Sequence, residues 1–256
     1  MTSREMKPDR DRPATSEGPA TAVVIGRAGS KGLPGKNALP VGGRPMIARS
    51  VEHATAARNV GRVLCSTDGE EIATAAEQAG AEIIRRPVEL ADDHATVDSA
   101  VRHAVEASND DAAFIVILYG NIPVRPFDLV DRAIDLLISS SADSVQSYSP
   151  VGKHHPYWTC RMDGDSRVSN WEPNQVYRRQ DLPSAYIPDG GVLAVTRRSL
   201  FRVDPADPHA FLGEDRRGVR NPAGAVVDVD DEIDLLVAEA ILARQAMTIP
   251  SGVGRR

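Results

Sequence analysis

Val23-Val24-Ile25-Gly26-Arg27-Ala28-Gly29-Ser30-Lys31-Gly32-Leu33-Pro34-Gly35-Lys36-Asn37 is the stretch around which the chain is organised. The β-branched run Val23 to Ile25 reads as a buried strand. The chain then turns glycine-rich and basic at once, with Gly26, Gly29, Gly32 and Gly35 among Arg27, Lys31 and Lys36. Glycine lets a backbone bend sharply and approach a ligand closely. Successive N–H groups in such a loop form a concave anion site, and three cations suit the charge of a triphosphate. A basic loop directly after the first strand therefore reads as a nucleoside-triphosphate cradle, with a solvated surface loop as the plainer alternative. Neither G-x-G-x-x-G nor G-x-x-x-x-G-K-[ST] occurs in it.

Working outward, Gly42-Gly43 marks a turn and Pro45 suits a helix start. Met46, Ile47, Val51 and Ala54 follow at helical spacing. A second strand is predicted over 61–66, a helix over 70–78 capped by Thr67-Asp68 and stopped by Gly80, and a short strand over 81–84. A helix over 98–107 leads to the wholly apolar run 112–118, a strand covered on both sides. An amphipathic helix over 128–139 and a strand over 143–148 come next. This alternation predicts an α/β fold: a mostly parallel sheet with helices on both faces and ligands at the carboxyl ends of the strands. The rhythm breaks between Val151 and Pro188, where His154-His155-Pro156-Tyr157-Trp158, Trp171, Tyr177 and Tyr186 collect most of the aromatic residues. That stretch reads as an inserted β-rich arm, either an interface or a locally packed loop. Strands over 192–195 and 225–229 and a long amphipathic helix over 232–247 complete the chain.

The 256 residues suffice for one large domain, expected over 21–250 with the arm at about 151–188. At 41% hydrophobic and 4% aromatic the core should be aliphatic, and a net charge of −6 argues against nucleic-acid binding. Residues 1–20, charged and proline-rich, are expected to be a disordered tail. The longest apolar run is too short to cross a bilayer and no signal-peptide core is visible, so no membrane association is expected. Cys65 and Cys160 read as reduced thiols of a cytoplasmic protein.

Late in the chain, Asp228-Val229-Asp230 places two carboxylates on one face of a strand. Such a pair holds a hard cation, with Mg²⁺ the usual companion of a triphosphate; a turn with a helix cap is the alternative. Arg178-Arg179-Gln180-Asp181-Leu182-Pro183 offers an arginine pair that could grip a carboxylate or lie at a subunit interface. No Cys or His stands at zinc-ligand spacing beside His154-His155.

Arg27-x-Gly29-Ser30-Lys31-x-x-x-x-Lys36-Asn37 resembles the signature of the sugar-acid cytidylyltransferases, especially the acylneuraminate (CMP-sialic acid) synthetases. Arg86-Pro87-x-Glu89-Leu90-Ala91, the Arg178 to Pro183 run and Val227 to Leu235 resemble that family in the same order, over about 21–245. The resemblance implies a Rossmann-like nucleotidyltransferase sheet and transfer of CMP from CTP to a nonulosonic sugar acid, with release of pyrophosphate. It implies that Arg27, Lys31 and Lys36 hold the phosphates, that Ser30 and Asn37 position nucleotide and loop, and that Arg86 and Ala95 line the cytidine pocket. By the same resemblance Arg178, Arg179 and Gln180 lie by the sugar site and a homodimer contact, and Asp228 and Asp230 bind Mg²⁺. One run departs: Leu118-Tyr119-Gly120-Asn121-Ile122-Pro123-Val124-Arg125 carries Tyr119 where the family has a sugar-contacting glutamine. That substitution keeps open another sugar acid, such as an octulosonate, or another nucleotide. A glycosyltransferase using Asp-x-Asp and a non-catalytic nucleotide-binding protein are the further alternatives.

Overall fold

The computed structural model describes residues 19–29, 32–92 and 94–248. In chain order these residues form β1 (Ala20–Ile25), β2 (Pro40–Val41), β3 (Arg44–Pro45), α1 (Met46–Ala56), β4 (Val60–Thr67), α2 (Glu70–Gln78), β5 (Glu82–Arg85), α3 (Val97–Ala107) and β6 (Phe114–Tyr119). There follow α4 (Leu129–Ser140), β7 (Ser144–Pro150), β8 (Cys160–Met162), β9 (Val168–Asn170), β10 (Tyr186–Thr196), α5 (Arg197–Leu200), β11 (Arg216–Arg220) and α6 (Glu232–Thr248). The expected tail before residue 19 lies outside the described residues.

Seven strands make one sheet in the order β11-β7-β10-β6-β1-β4-β5. Its ladders are parallel except at β10, which runs antiparallel to both neighbours, β6 and β7. The reversal follows from the arm. The chain leaves β7, makes the excursion and returns directly beside β7, so the arm is the long loop of a hairpin whose base pairs Tyr186 with Pro150.

The continuous apolar runs are explained by helices on both faces. On β1 Val24 points to a cluster with Ile47 and Val51 of α1, Ile72 of α2 and Ile134 of α4. Its neighbour Val23 points the other way, to Val101 and Val105 of α3 and Leu200 of α5. Alternate residues of a strand face opposite sides, so burying both sides requires an apolar residue at every position. All six residues of β1 are buried.

Three expectations need correction. Thr67-Asp68 does not cap α2: the cap position is Gly69, and the Asp68 carboxylate instead accepts the Ala28 N–H at 2.8 Å. The segment 225–229 is no strand but a single bridge, Val124 to Val227. Val227 and Val229 still donate to the carbonyls of Val124 and Asn121 at 3.1 and 3.0 Å. The Ile122 N–H closes a turn onto the Tyr119 carbonyl at 3.3 Å instead, and no longer ladder forms. The last strand is β11, whose Arg-Arg-Gly-Val-Arg sequence buries only Val219 and so carries no apolar signature; it forms an edge of the sheet. α6 is also less cleanly amphipathic than expected. Ala238 is buried with Leu242 packed beside it, yet Ile233, Leu236 and Val237 are exposed. Among the described residues no helix is long and apolar enough to cross a membrane.

Candidate active site

The cradle leaves β1 at its carboxyl end, where the Gly26 N–H donates to Ser66 of the neighbouring β4. Asn37, 4% exposed, ties the loop back on itself by donating to the Arg27 carbonyl at 3.0 Å. Gly35 adopts φ +66°, the left-handed region that favours glycine, and delivers Lys36 inward. Asp68 accepts from Ala28, and Arg27 donates to the Asp92 carbonyl at 3.1 Å. Ser30 and Lys31 lie outside the described residues.

The late acidic couple meets this loop. Lys36 Nζ stands 2.6 Å from Asp230 Oδ1 and donates to the Val229 carbonyl at 3.1 Å. The approach is close enough that a Cβ on Gly32 would overlap the Asp230 carbonyl oxygen. The couple is aimed by its neighbours. Val227 and Val229 bury themselves beside Val41, Met46 and Val124, under α6, which turns the alternating Asp228 and Asp230 outward. Strand-like alternation thus survives without a strand. The helix-capping role falls to the next residues, where Asp231 Oδ1 accepts the Asp234 N–H and Asp234 Oδ2 accepts the Asp230 N–H.

A cavity of about 530 Å³ opens between these groups, lined by Arg27, Gly32, Lys36, Asn37, Arg86, Ala95, Tyr119, Asn121 and Asp230. Its far wall is held by Arg86, which donates to the Ser66 hydroxyl and carbonyl at 3.1 and 2.6 Å, and by Ala95, whose N–H donates to Asp92 at 2.8 Å. Burial lowers the Arg86 pKa, opposed by Asp68. A second cavity of about 480 Å³ is lined by Tyr119, Gln146, Ser149, Asp189, Gly190, Gly224 and Asp228. Tyr119 lines both cavities, with Asp230 in the first and Asp228 in the second. Burial and the Asp228 charge raise the Tyr119 pKa, so its phenol stays protonated.

Asp228 is pushed up to about 6, first by burial and then by Asp230, against the pull of Lys36. Asn121, a position the sequence marked only as a departure, donates to its Oδ1. A pair of carboxylates from one short segment, one of them raised by the charge of the other, is a donor set suited to a hard cation, which takes one or two protein carboxylates and fills its shell from phosphate and water. No cluster of three or more His, Cys, Asp or Glu positioned for a metal occurs among the described residues, so any cation here would depend on the nucleotide for part of its shell.

Arg178, Arg179 and Gln180 line neither cavity. They are exposed on the arm, where Arg178 grips Asp181 through Nε at 2.7 Å and Nη2 at 3.1 Å. His155 is buried and structural: Nδ1 accepts the Tyr157 N–H at 3.1 Å and Nε2 bonds the Pro183 carbonyl at 3.0 Å. Asp68, expected only as a helix cap, and Asp92 brace the cradle in roles that a single loop aspartate does not signal by spacing. Asp189 accepts from Ser147, Ser149, Asn221 and the Gly191 N–H, which braces the second cavity.

Comparison with known proteins agrees with this geometry. Residues 21–186 match the family model described as "Cytidylyltransferase". An N-acylneuraminate cytidylyltransferase of Escherichia coli is 35% identical over 222 residues, 86% of this chain and 51% of that protein. A CMP-N,N'-diacetyllegionaminic acid synthase of Legionella pneumophila is 26% identical over 232 residues, 86% of this chain and 95% of that one. The chain spans about half the length of the N-acylneuraminate relatives it matches. Among solved structures, a CMP:2-keto-3-deoxy-manno-octonic acid synthetase complexed with CTP superposes with a TM-score of 0.68 at 19% identity, covering 88% of this chain and 99% of that one. On the family match, with a sheet and a paired basic loop and acidic couple to accompany it, this chain belongs to the cytidylyltransferases.

Proposed function

We propose that residues 21–250 form a catalytic unit that transfers CMP from CTP to a nonulosonic sugar acid and releases pyrophosphate. The observation that carries this reading is the Lys36–Asp230 pair at 2.6 Å, by which the early basic loop meets the late acidic couple at a nucleotide-sized cavity lined by Asp230. The relatives named as an N-acylneuraminate cytidylyltransferase and a CMP-N,N'-diacetyllegionaminic acid synthase support the substrate class.

In this reading the triphosphate lies along the loop against Arg27, Lys31 and Lys36, with Ser30 and Asn37 setting the loop and Arg86 and Ala95 flanking the base. The sugar acid occupies the second cavity beyond Tyr119. Its anomeric hydroxyl attacks the α-phosphorus in line, the α–β phosphoanhydride bond breaks and pyrophosphate leaves. Alignment and charge neutralisation carry such a displacement. Lys36 exchanges its Asp230 partner for phosphate, which frees the carboxylate. Asp228 and Asp230 would hold Mg²⁺, which supplies neutralisation of phosphate charge and acidifies the attacking hydroxyl. A homodimer formed through the arm would set Arg178, Arg179 and Gln180 beside a partner's sugar site. The cytoplasm, where CTP is made and thiols stay reduced, is the matching compartment.

Pyrophosphate release from CTP with Mg²⁺, against sialic, legionaminic, pseudaminic and octulosonic acids, tests the proposal. Release with a nonulosonic acid is expected. Activity only with an octulosonate would favour the second reading, for which Tyr119 in place of an amide speaks. No release with any acid would overturn both.

A further inference from the structure

Gln146 is a polar side chain that packing does not explain. It lies on β7, half-buried between β10 and β11, opposite Leu193 on one side and Gly218 on the other. Leu193 in turn pairs with Ile117 of β6. Paired residues share a face and strand neighbours two apart share it too, so Gln146 and Tyr119 emerge on the same face of the sheet. Both line the second cavity. They stand two strands and two residues apart, roughly 12 Å at ordinary strand spacing and rise. The Tyr119 end adjoins Asp228 and the reacting centre; the Gln146 end is remote from both.

The amide is oriented. Tyr148, two residues on and on the same face, donates its hydroxyl to Gln146 Oε1 at 3.3 Å. Gly218 makes room for that ring, since a Cβ there would stand 3.0 Å from Tyr148 Cδ2. With Oε1 engaged, Nε2 keeps two N–H donors, for which no partner occurs among the described residues. Beside it, Asp189 and Ser149 are already committed: Asp189 accepts four donors and Ser149 donates to it. β10 is irregular between Pro188 and Leu193, opposite this part of β7, which opens the sheet at the cavity.

We propose that Gln146, oriented by Tyr148, is a specificity-determining residue that reads a hydrogen-bond acceptor oxygen on the sugar acid, at the end remote from the anomeric carbon. This rests on the cytidylyltransferase reading above and deepens it. The acceptor is an acyl carbonyl or a hydroxyl oxygen; both present the same lone pairs to Nε2. A buried site built to donate a hydrogen bond rejects an analogue lacking the acceptor, because its own polar group is then left unpaired.

The test compares kcat/KM for matched sugar acids bearing an N-acyl group, a hydroxyl or a hydrogen at that end, in the wild type and in Gln146→Leu, Gln146→Glu and Tyr148→Phe. Gln146→Leu should lower kcat/KM for the preferred acid roughly tenfold or more through KM, leave the hydrogen-bearing analogue within about twofold and leave the KM for CTP unmoved. Gln146→Glu, which replaces donors with acceptors, should penalise the preferred acid further. Tyr148→Phe should give a smaller loss of the same pattern. Preference among the acyl and hydroxyl arms names the acceptor. An equal fall for all three acids, a shift confined to the KM for CTP, or no change would overturn the assignment. Equilibrium titration of the same acids separates this failure from that of the parent reading. Selective binding lost in Gln146→Leu upholds the assignment even without turnover; binding that is unselective or absent defeats it.

Discussion

Asp228 sits where its own charge is least welcome. Burial and Asp230 raise its pKa from 3.8 to about 6. An acid whose folded pKa exceeds its unfolded value binds its proton more tightly in the folded state. The metal-free protein should therefore lose stability as pH climbs from about 4 to 6, and the loss persists above. Asp228 is exposed to solvent, whose screening reduces the effect of this displacement to about 1–2 kcal/mol. Asp228→Asn should accordingly raise the melting temperature by several degrees at pH 7 in EDTA and scarcely at pH 4, while abolishing CMP transfer. A melting-temperature gain equal at both pH values would refute the charge explanation. Lys36 offsets this strain and bonds Asp230. Lys36→Met should raise the KM for CTP by about tenfold or more, a loss on the order of one charge-assisted hydrogen bond, with secondary structure by circular dichroism unchanged.

At the level of elements, convergence depends on a close approach of two backbones. Gly32 of the cradle lies against the Asp230 carbonyl with no space for a side chain. Gly32→Ala should push the loop from the acidic segment and separate Lys36 from Asp230. Turnover should fall at least a hundredfold while the melting temperature shifts by less than about 3 °C, because the loop adds little to the core; wild-type kinetics in that variant would show that the approach is dispensable. The glycine was legible in the sequence as part of a basic loop, but its contact was not, since its partner lies about two hundred residues away. The same contrast holds through the fold. β1 and β6 announced themselves because two covered faces demand unbroken apolar runs. β11 escaped because an edge strand needs only one buried residue, Val219. The 225–229 segment keeps a strand's alternation at Val227 to Asp230 but not its ladder, because the Ile122 N–H across from it turns back to the Tyr119 carbonyl. Asn121 and Gln146 stayed silent, because an isolated amide acquires meaning only from the cavity it faces.

On the scale of the whole molecule, the doubly covered sheet supplies rigidity and the arm supplies exposed surface. β8 and β9 pair over only three residues each and are exposed throughout. Met162, Val168, Trp171 and Tyr177 are 70%, 59%, 52% and 92% exposed, respectively. A two-stranded hairpin of that size is marginal alone in water, and contiguous exposed apolar surface marks an interaction site. The arm is nonetheless anchored at its base by buried His155 and the Tyr186–Pro150 pair, so it is presented in a fixed direction from beside the second cavity. A second copy of the chain would cover its apolar face and bring Arg178 and Arg179 near a substrate carboxylate, which the wall of that cavity lacks a cation to meet. Sedimentation equilibrium should give twice the chain mass for the wild type. Met162→Glu combined with Val168→Glu should give the single-chain mass, because charge placed on the covered face opposes its burial. Since the nucleotide cavity belongs to one chain, the variant should bind CTP as before yet show at least a tenfold higher KM for the sugar acid. A wild-type protein that sediments as one chain at all concentrations, or a variant that loses CTP affinity and sugar-acid affinity alike, would show that the arm does not complete the site.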